Sequence, residues 1–157
     1  MNKINKQRIE ADYLRYTLEK YPSFIGRENC MPPYKSKESG ANDLTRLVID
    51  FLTFNNCQAE RISSQGQYRD GKKQVTDCIG RTRTIGSGIW TPGTSTKGTA
   101  DISATIKGRS VKIEIKWGAD RQSDAQKEYQ LSIEKAMGIY IIIKTFDDFI
   151  IWFDNFN

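Results

Sequence analysis

The sequence predicts an α/β domain: a layered fold with a central mixed β-sheet flanked by helices. Three observations carry this. Residues 41–54 repeat apolar side chains at helical spacing; residues 100–117 alternate with period two; and a continuous apolar run, Ile139 to Ile143, follows a segment with helix-start signals.

Taken in order, Ile4 to Lys20 reads as a helix with a ragged stripe of Ile9, Tyr13, Leu14 and Leu18, ended by Tyr21-Pro22. Residues 22–40 hold Pro22, Gly26, Pro32, Pro33 and Gly40 and read as a loop or arm. A second helix covers Ala41 to Phe54, with Asn42 or Asp43 as cap and Leu44, Leu47, Val48, Phe51 and Leu52 on one face. Gln58 to Ser63 reads as a short strand. Residues 64–98 are rich in Gly, Ser and Thr and should form one or two irregular hairpins. Ser123-Asp-Ala-Gln126 opens a helix to about Met137, ended by Gly138. Ile139 to Ile143 is a buried strand, and a final strand is expected at Phe149 to Phe153.

The alternating segment is the most specific. Ile102, Ala104 and Ile106, then Val111, Ile113 and Ile115, are apolar; Asp101, Ser103 and Thr105, then Ser110, Lys112, Glu114 and Lys116, are polar. A two-residue turn at Lys107-Gly108 pairs Ile106 with Arg109, Ile102 with Ile113, and Asp101 with Glu114. One register satisfies both faces, and a one-residue slip would mismatch them. Opposed carboxylates repel unless a cation or proton lies between them, and Lys116 points to the same face as Glu114. Two acids suit a hard divalent cation, and a lysine beside them can act on a water or a phosphate. The alternative is a solvated polar hairpin face.

The 157 residues carry a formal charge of +5 and no histidine. This argues against a structural zinc site and against Ser-His-Asp catalysis. Cys30, Cys57 and Cys78 form no CxxC pair and suit a reducing cytoplasm. No apolar run suggests a signal peptide or a membrane span, so no membrane partner is expected. Between Arg61 and Gly98 seven basic residues face two acidic ones, which accounts for the whole excess. Arg61, Lys72, Lys73, Arg81, Arg83 and Lys97 are candidate phosphate contacts, and a solvated loop made basic for solubility is the alternative.

Gly98-Thr-Ala-Asp101-Ile102, Glu114-Ile115-Lys116, Ser123-Asp-Ala-Gln126 and the tail after Gly138 resemble, in order and spacing, the motifs of the PD-(D/E)XK nuclease superfamily. The closest resemblance is to its VRR-NUC branch, found in phage proteins and in Fanconi-associated nucleases. It spans roughly Asn42 to Phe153, and Ala100 stands where the branch usually has proline. The resemblance implies a restriction-endonuclease-like layered fold. Residues 1–40 would be an N-terminal helix and arm, and residues 41–157 the nuclease core with the basic loop 61–98.

The activity implied is Mg²⁺- or Mn²⁺-dependent hydrolysis of DNA phosphodiesters by an endonuclease, with branched DNA, a four-way junction or a flap as candidate substrates. Asp101, Glu114 and the backbone carbonyl of Ile115 would hold the metal, and Lys116 would position water or neutralise developing charge. Gln126 would position water or substrate; Ser123-x-x-Gln126 is equally a capping box. Asp43 would be a further metal-binding acid or simply a helix-start aspartate. Tyr129 and Trp117 could stack on a base, though Tyr129 falls on a stripe with Ala125 and Ile133. A homodimer in the cytoplasm of a bacterial or phage-infected cell is the implied setting. The rival readings are a catalytically inactive nuclease fold that binds nucleic acid, and a basic protein–protein adaptor.

Overall fold

A computed structural model describes residues 1–63, 66–91 and 96–156. The elements are α1 (Lys3–Lys20), α2 (Ala41–Phe54), β1 (Gln58–Arg61), β2 (Gln67–Arg69), β3 (Lys73–Thr76), β4 (Thr82–Ile85), β5 (Ile89–Thr91), β6 (Ile102–Ile106), β7 (Arg109–Ile115), α3 (Asp124–Lys135), β8 (Ile139–Ile143) and α4 (Phe146–Asp154). Short 3₁₀ turns at Pro22–Phe24 and Glu28–Cys30 interrupt the loop after α1. The chain divides into two compact units: Met1–Ile62 with Gly98–Asn157, and Ser63–Lys97. Residues 1–40, expected as a helix and arm, lie within the first unit, where Ile9 of α1 is fully buried in the core.

The first unit is a mixed sheet flanked by helices. Its strand order is β1-β6-β7-β8; β1, β6 and β7 run antiparallel and β8 runs parallel to β7. The β6–β7 register is the expected one, from Ile106 opposite Arg109 to Ile102 opposite Ile113. Both turn residues, Lys107 and Gly108, have positive φ (48° and 77°), the geometry a two-residue hairpin turn with the twist of its strands demands. Ile102, Ile106, Val111 and Ile113 on one sheet face are fully buried against Leu44, Leu47, Val48, Phe51 and Leu52 of α2.

Two readings need correction. Phe149 to Phe153 is not a strand but part of α4. Its branched and aromatic run suggested a strand, but Phe146, Phe149, Ile150 and Phe153 recur at helical spacing. Thr145 and Asp148 close a capping box at its start. The face so formed meets Phe51, edge-on to Phe146, Phe149 and Phe153 with centroids 5.2–5.9 Å apart. Nor do Asn42 and Asp43 cap α2: Gly40 takes the cap position with no side-chain hydrogen bond. Asp43 reaches back to the Ser39 N–H (3.2 Å) and hydroxyl.

The second unit is a β-ribbon. β2 pairs antiparallel with β5, and β3 with β4. The two ladders share one register: three residues separate Arg69 from Lys73 and three separate Ile85 from Ile89, so no bulge intervenes. Asp77 closes the tip by accepting the N–H groups of Ile79 (3.0 Å) and Arg81 (2.8 Å). All four ribbon strands are exposed. Of the expected basic loop 61–98, residues 64, 65 and 92–95 lie outside the described residues. Among the described residues no helix is long and apolar enough to cross a membrane.

Candidate active site

β7 outruns β6. The ladder ends at Ile102–Ile113, while β7 continues through Glu114 and Ile115. Asp101 sits just before β6, and its side chain replaces the missing rung: Oδ2 accepts the backbone N–H of Ile115 at 2.9 Å. Its own carbonyl accepts the Ile62 N–H at 2.8 Å from the β1 side. Asp101 is thus fixed at both backbone and side chain. Strand residues direct their N–H and C=O to the same side, so the Ile115 carbonyl also points toward Asp101. The Lys116 N–H turns the other way, to the Ile143 carbonyl at 2.9 Å.

Glu114 and Lys116 occupy the sheet face opposite α2. They are not a solvated pair: Glu114 is 2% exposed and Lys116 5%. Lys116 Nζ lies 3.0 Å from Glu114 Oε1 and 3.5 Å from Asp120 Oδ2. Gln126 of α3 covers both. Its Oε1 accepts from Lys116 Nζ at 3.0 Å, and its Nε2 donates to Glu114 Oε1. The same Oε1 accepts the Ser123 N–H at 2.9 Å, completing the capping box. Cap and site contact are therefore not alternatives, because one amide makes both. The cap fixes which way the amide faces, so its N–H end must face the carboxylate.

Gly98 joins this assembly from the loop before Asp101. Its φ is +81°, and a Cβ there would stand 2.3 Å from the Ala125 carbonyl oxygen and 2.8 Å from the Gln126 nitrogen. Only glycine lets this loop lie against the first turn of α3. Asp101 and Gln126 are thereby placed by elements in direct contact.

Sequence reasoning missed Tyr140, whose hydroxyl lies 3.4 Å from Glu114 Oε2. The signal was there: one tyrosine interrupts the isoleucines of 139–143. By strand parity it shares the Glu114 face, where its ring meets Tyr129 edge-on at 6.3 Å. Tyr129 is half-buried, consistent with packing. Trp117 remains 38% exposed.

Burial pushes the Glu114 carboxyl above its usual range, and the nearby Asp101 charge pushes the same way; Lys116 and Tyr140 oppose them. For Lys116, burial alone would lower the pKa, but Glu114 and Asp120 outweigh it and the net shift is upward. Lys116 is thus a fixed ammonium, suited to stabilise negative charge and unsuited to accept a proton. Burial and the Glu114 charge raise the Tyr140 hydroxyl, against a Gln122 hydrogen bond, which keeps it a donor.

The other candidates are placed as follows. Among the described residues no three acidic or cysteine side chains gather closely enough to hold a metal, so Asp43 does not join Asp101 and Glu114. Arg61 ends β1 and donates to Asn42 Oδ1 at 2.7 Å. Lys72, Lys73, Arg81 and Arg83 are exposed on the ribbon and Lys97 is exposed at its end; Arg83 lies 3.6 Å from Asp77. No protein-family model matches the chain, and neither does any curated protein.

Proposed function

We propose that the protein is a divalent-metal-dependent DNA endonuclease of the PD-(D/E)XK type, closest to the VRR-NUC branch, on a restriction-endonuclease-like core. The observation that carries this reading is the buried Glu114–Lys116–Gln126 network beside Asp101. Burying a carboxylate and an ammonium costs several kcal/mol per ion before pairing offsets it. A chain that needed only a stable hairpin would do as well with apolar side chains there.

The donor set fits a Mg²⁺ or Mn²⁺ ion. Asp101, Glu114 and the Ile115 carbonyl are oxygen donors of the kind such an ion takes, and the mutual repulsion of the two acids favours a cation between them. Such an ion, when bound, supplies an acidified water and polarises the scissile phosphate. The chain's own residues do the rest. Asp101 is held by Ile62 and Ile115, so its carboxylate needs no reorganisation. Lys116, kept protonated, donates to the charge that grows on the phosphate oxygens. Gln126 holds Lys116 and Glu114 in register.

The test compares wild type with Asp101→Ala on duplex, flap, four-way-junction and single-stranded DNA, with Mg²⁺, Mn²⁺ or chelator. Metal-dependent cleavage by wild type alone is expected. A wild type that binds DNA but cuts none of the panel would instead assign an inactive binding fold.

A further inference from the structure

The ribbon carries a feature the cleavage site does not use. Tyr68 and Trp90 are directly opposed across β2 and β5, so both rings stand on one face. Each reaches diagonally over the glycine that precedes the other strand. A Cβ on Gly88 would fall 1.6 Å from the Tyr68 hydroxyl oxygen, and a Cβ on Gly66 would fall 2.7 Å from Trp90 Cζ2. The two glycines let the rings settle onto the backbone. Both side chains nevertheless remain 63% exposed. The result is a pair of rings backed by protein and open to solvent on the other side.

A lone two-stranded ribbon is marginal in water, and its exposed rings on one face, with Val75, Ile85 and Ile89 exposed on the other, call for a partner. Charge selects among partners. Arg69, Lys72, Lys73, Arg81 and Arg83 are balanced only by Asp70 and Asp77, and Asp77 is already engaged in closing the tip and in the contact with Arg83. Strand alternation sets Arg69, Lys73 and Arg83 on the face away from the rings, so these long side chains would reach phosphates around the ribbon's edges. Two such ribbons would repel each other, whereas a polyanion with flat apolar groups complements cations and rings together. Unpaired bases offer those groups; duplex bases hide them in the stack.

We infer that the ribbon is an arm for an unpaired DNA strand, with Tyr68 and Trp90 as its stacking platform and the ribbon cations following the phosphates. This rests on the nucleic-acid reading above but not on cleavage. It makes DNA with a single-stranded portion the preferred substrate class.

Binding is measured with chelator present, so cleavage plays no part, using a fluorescein-labelled oligo-dT strand, a duplex of equal length and an oligo-U RNA. Three proteins are compared: wild type, a Tyr68→Leu/Trp90→Leu pair that still covers both glycines, and a Tyr68→Phe/Trp90→Phe pair that keeps the rings. The leucine pair should lower the ratio of single-strand to duplex affinity by about tenfold or more, and the phenylalanine pair should hold it within about threefold. An unmoved ratio in the leucine pair, or a wild type without single-strand preference, overturns the proposal. Stronger binding to the RNA overturns the choice of DNA. A leucine pair that instead turns a dimer into a monomer in sedimentation, with the ratio unmoved, gives the face to a second copy. Retained strand preference in a protein that cuts nothing would leave the arm standing and remove the nuclease reading.

Discussion

Asp101 accepts the Ile115 backbone N–H at 2.9 Å, so the residue we propose to hold a cation also ends the β6–β7 ladder. The two roles separate by substitution. Asp101→Asn keeps an oxygen for the N–H, whereas Asp101→Ala leaves a partly buried donor without its partner, at about 1–3 kcal/mol. Both should abolish metal-dependent cleavage, and only the alanine should lose that stability in urea melts. Asp101→Asn should also lower the Glu114 pKa without metal, because it removes one of the influences that raise it. Carboxyl NMR titration reads this directly. An unchanged Glu114 titration would show that the two acids do not feel each other.

Gln126 can be tested against the helix cap it completes. Ser123→Ala removes the cap acceptor and leaves the amide, costing about 1 kcal/mol of stability. Gln126→Ala also strips the amide from Lys116 and Glu114. The rate constant for cleavage should fall at least tenfold in Gln126→Ala and less than threefold in Ser123→Ala. Equal losses would reduce Gln126 to a cap.

Gly98→Ala should destabilise by about 1–3 kcal/mol, since the added Cβ meets the Ala125 carbonyl at a backbone angle that L-residues resist. The collision pushes on the turn that presents Gln126, so cleavage should fall with it. Chemical denaturation with single-turnover kinetics checks both. A stable, fully active Gly98→Ala protein would mean that the loop does not pack there in solution.

Arg8 ties α1 to α4 through a two-pronged contact with Asp154, both arms 2.7 Å, and its guanidinium also lies 5.2 Å from the Phe51 ring centroid. The hydrogen bond from Arg8 holds the Asp154 carboxyl below its ordinary 3.8. A lowered carboxylate contributes stability above the unfolded-state pKa and loses it as pH falls through the folded-state value. That contribution should therefore fade below about pH 4. Both groups are partly exposed, so solvent screening holds the pair to about 1 kcal/mol or less. Arg8→Ala should flatten the stability–pH curve in that acid range, as followed by urea melts at stepped pH.

Much of this architecture was legible because single patterns dominated it. In α2, Leu44, Leu47, Val48, Phe51 and Leu52 leave one helical face to bury. In the hairpin only one register matched both faces, and the turn residues agreed with it. α4 was harder, because Ile150, Ile151 and Trp152 favour a strand locally, and the Thr145 box with phenylalanines recurring every three to four residues decides otherwise. The site was legible as residues but not as an environment. Spacing brought Asp101, Glu114 and Lys116 together, but nothing local said that α3 would cover two charges or that Tyr140 would reach the carboxylate. The ribbon's cations were visible, whereas its rings resting on Gly66 and Gly88 needed the register to be known.

The Ile62 N–H and the Asp101 carbonyl meet at 2.8 Å, and β1 and β6 pair from that point onward. In topological terms β1 and β6 form an ordinary hairpin whose loop has been expanded into the entire ribbon. Such a loop can be cut out where its ends already touch. Replacing Ser63–Lys97 with a short glycine-rich turn should leave the sheet closed and Asp101 still bonded to Ile115. The proposed chemistry and the proposed strand capture would then be separable modules, the second carried entirely within one turn of the first.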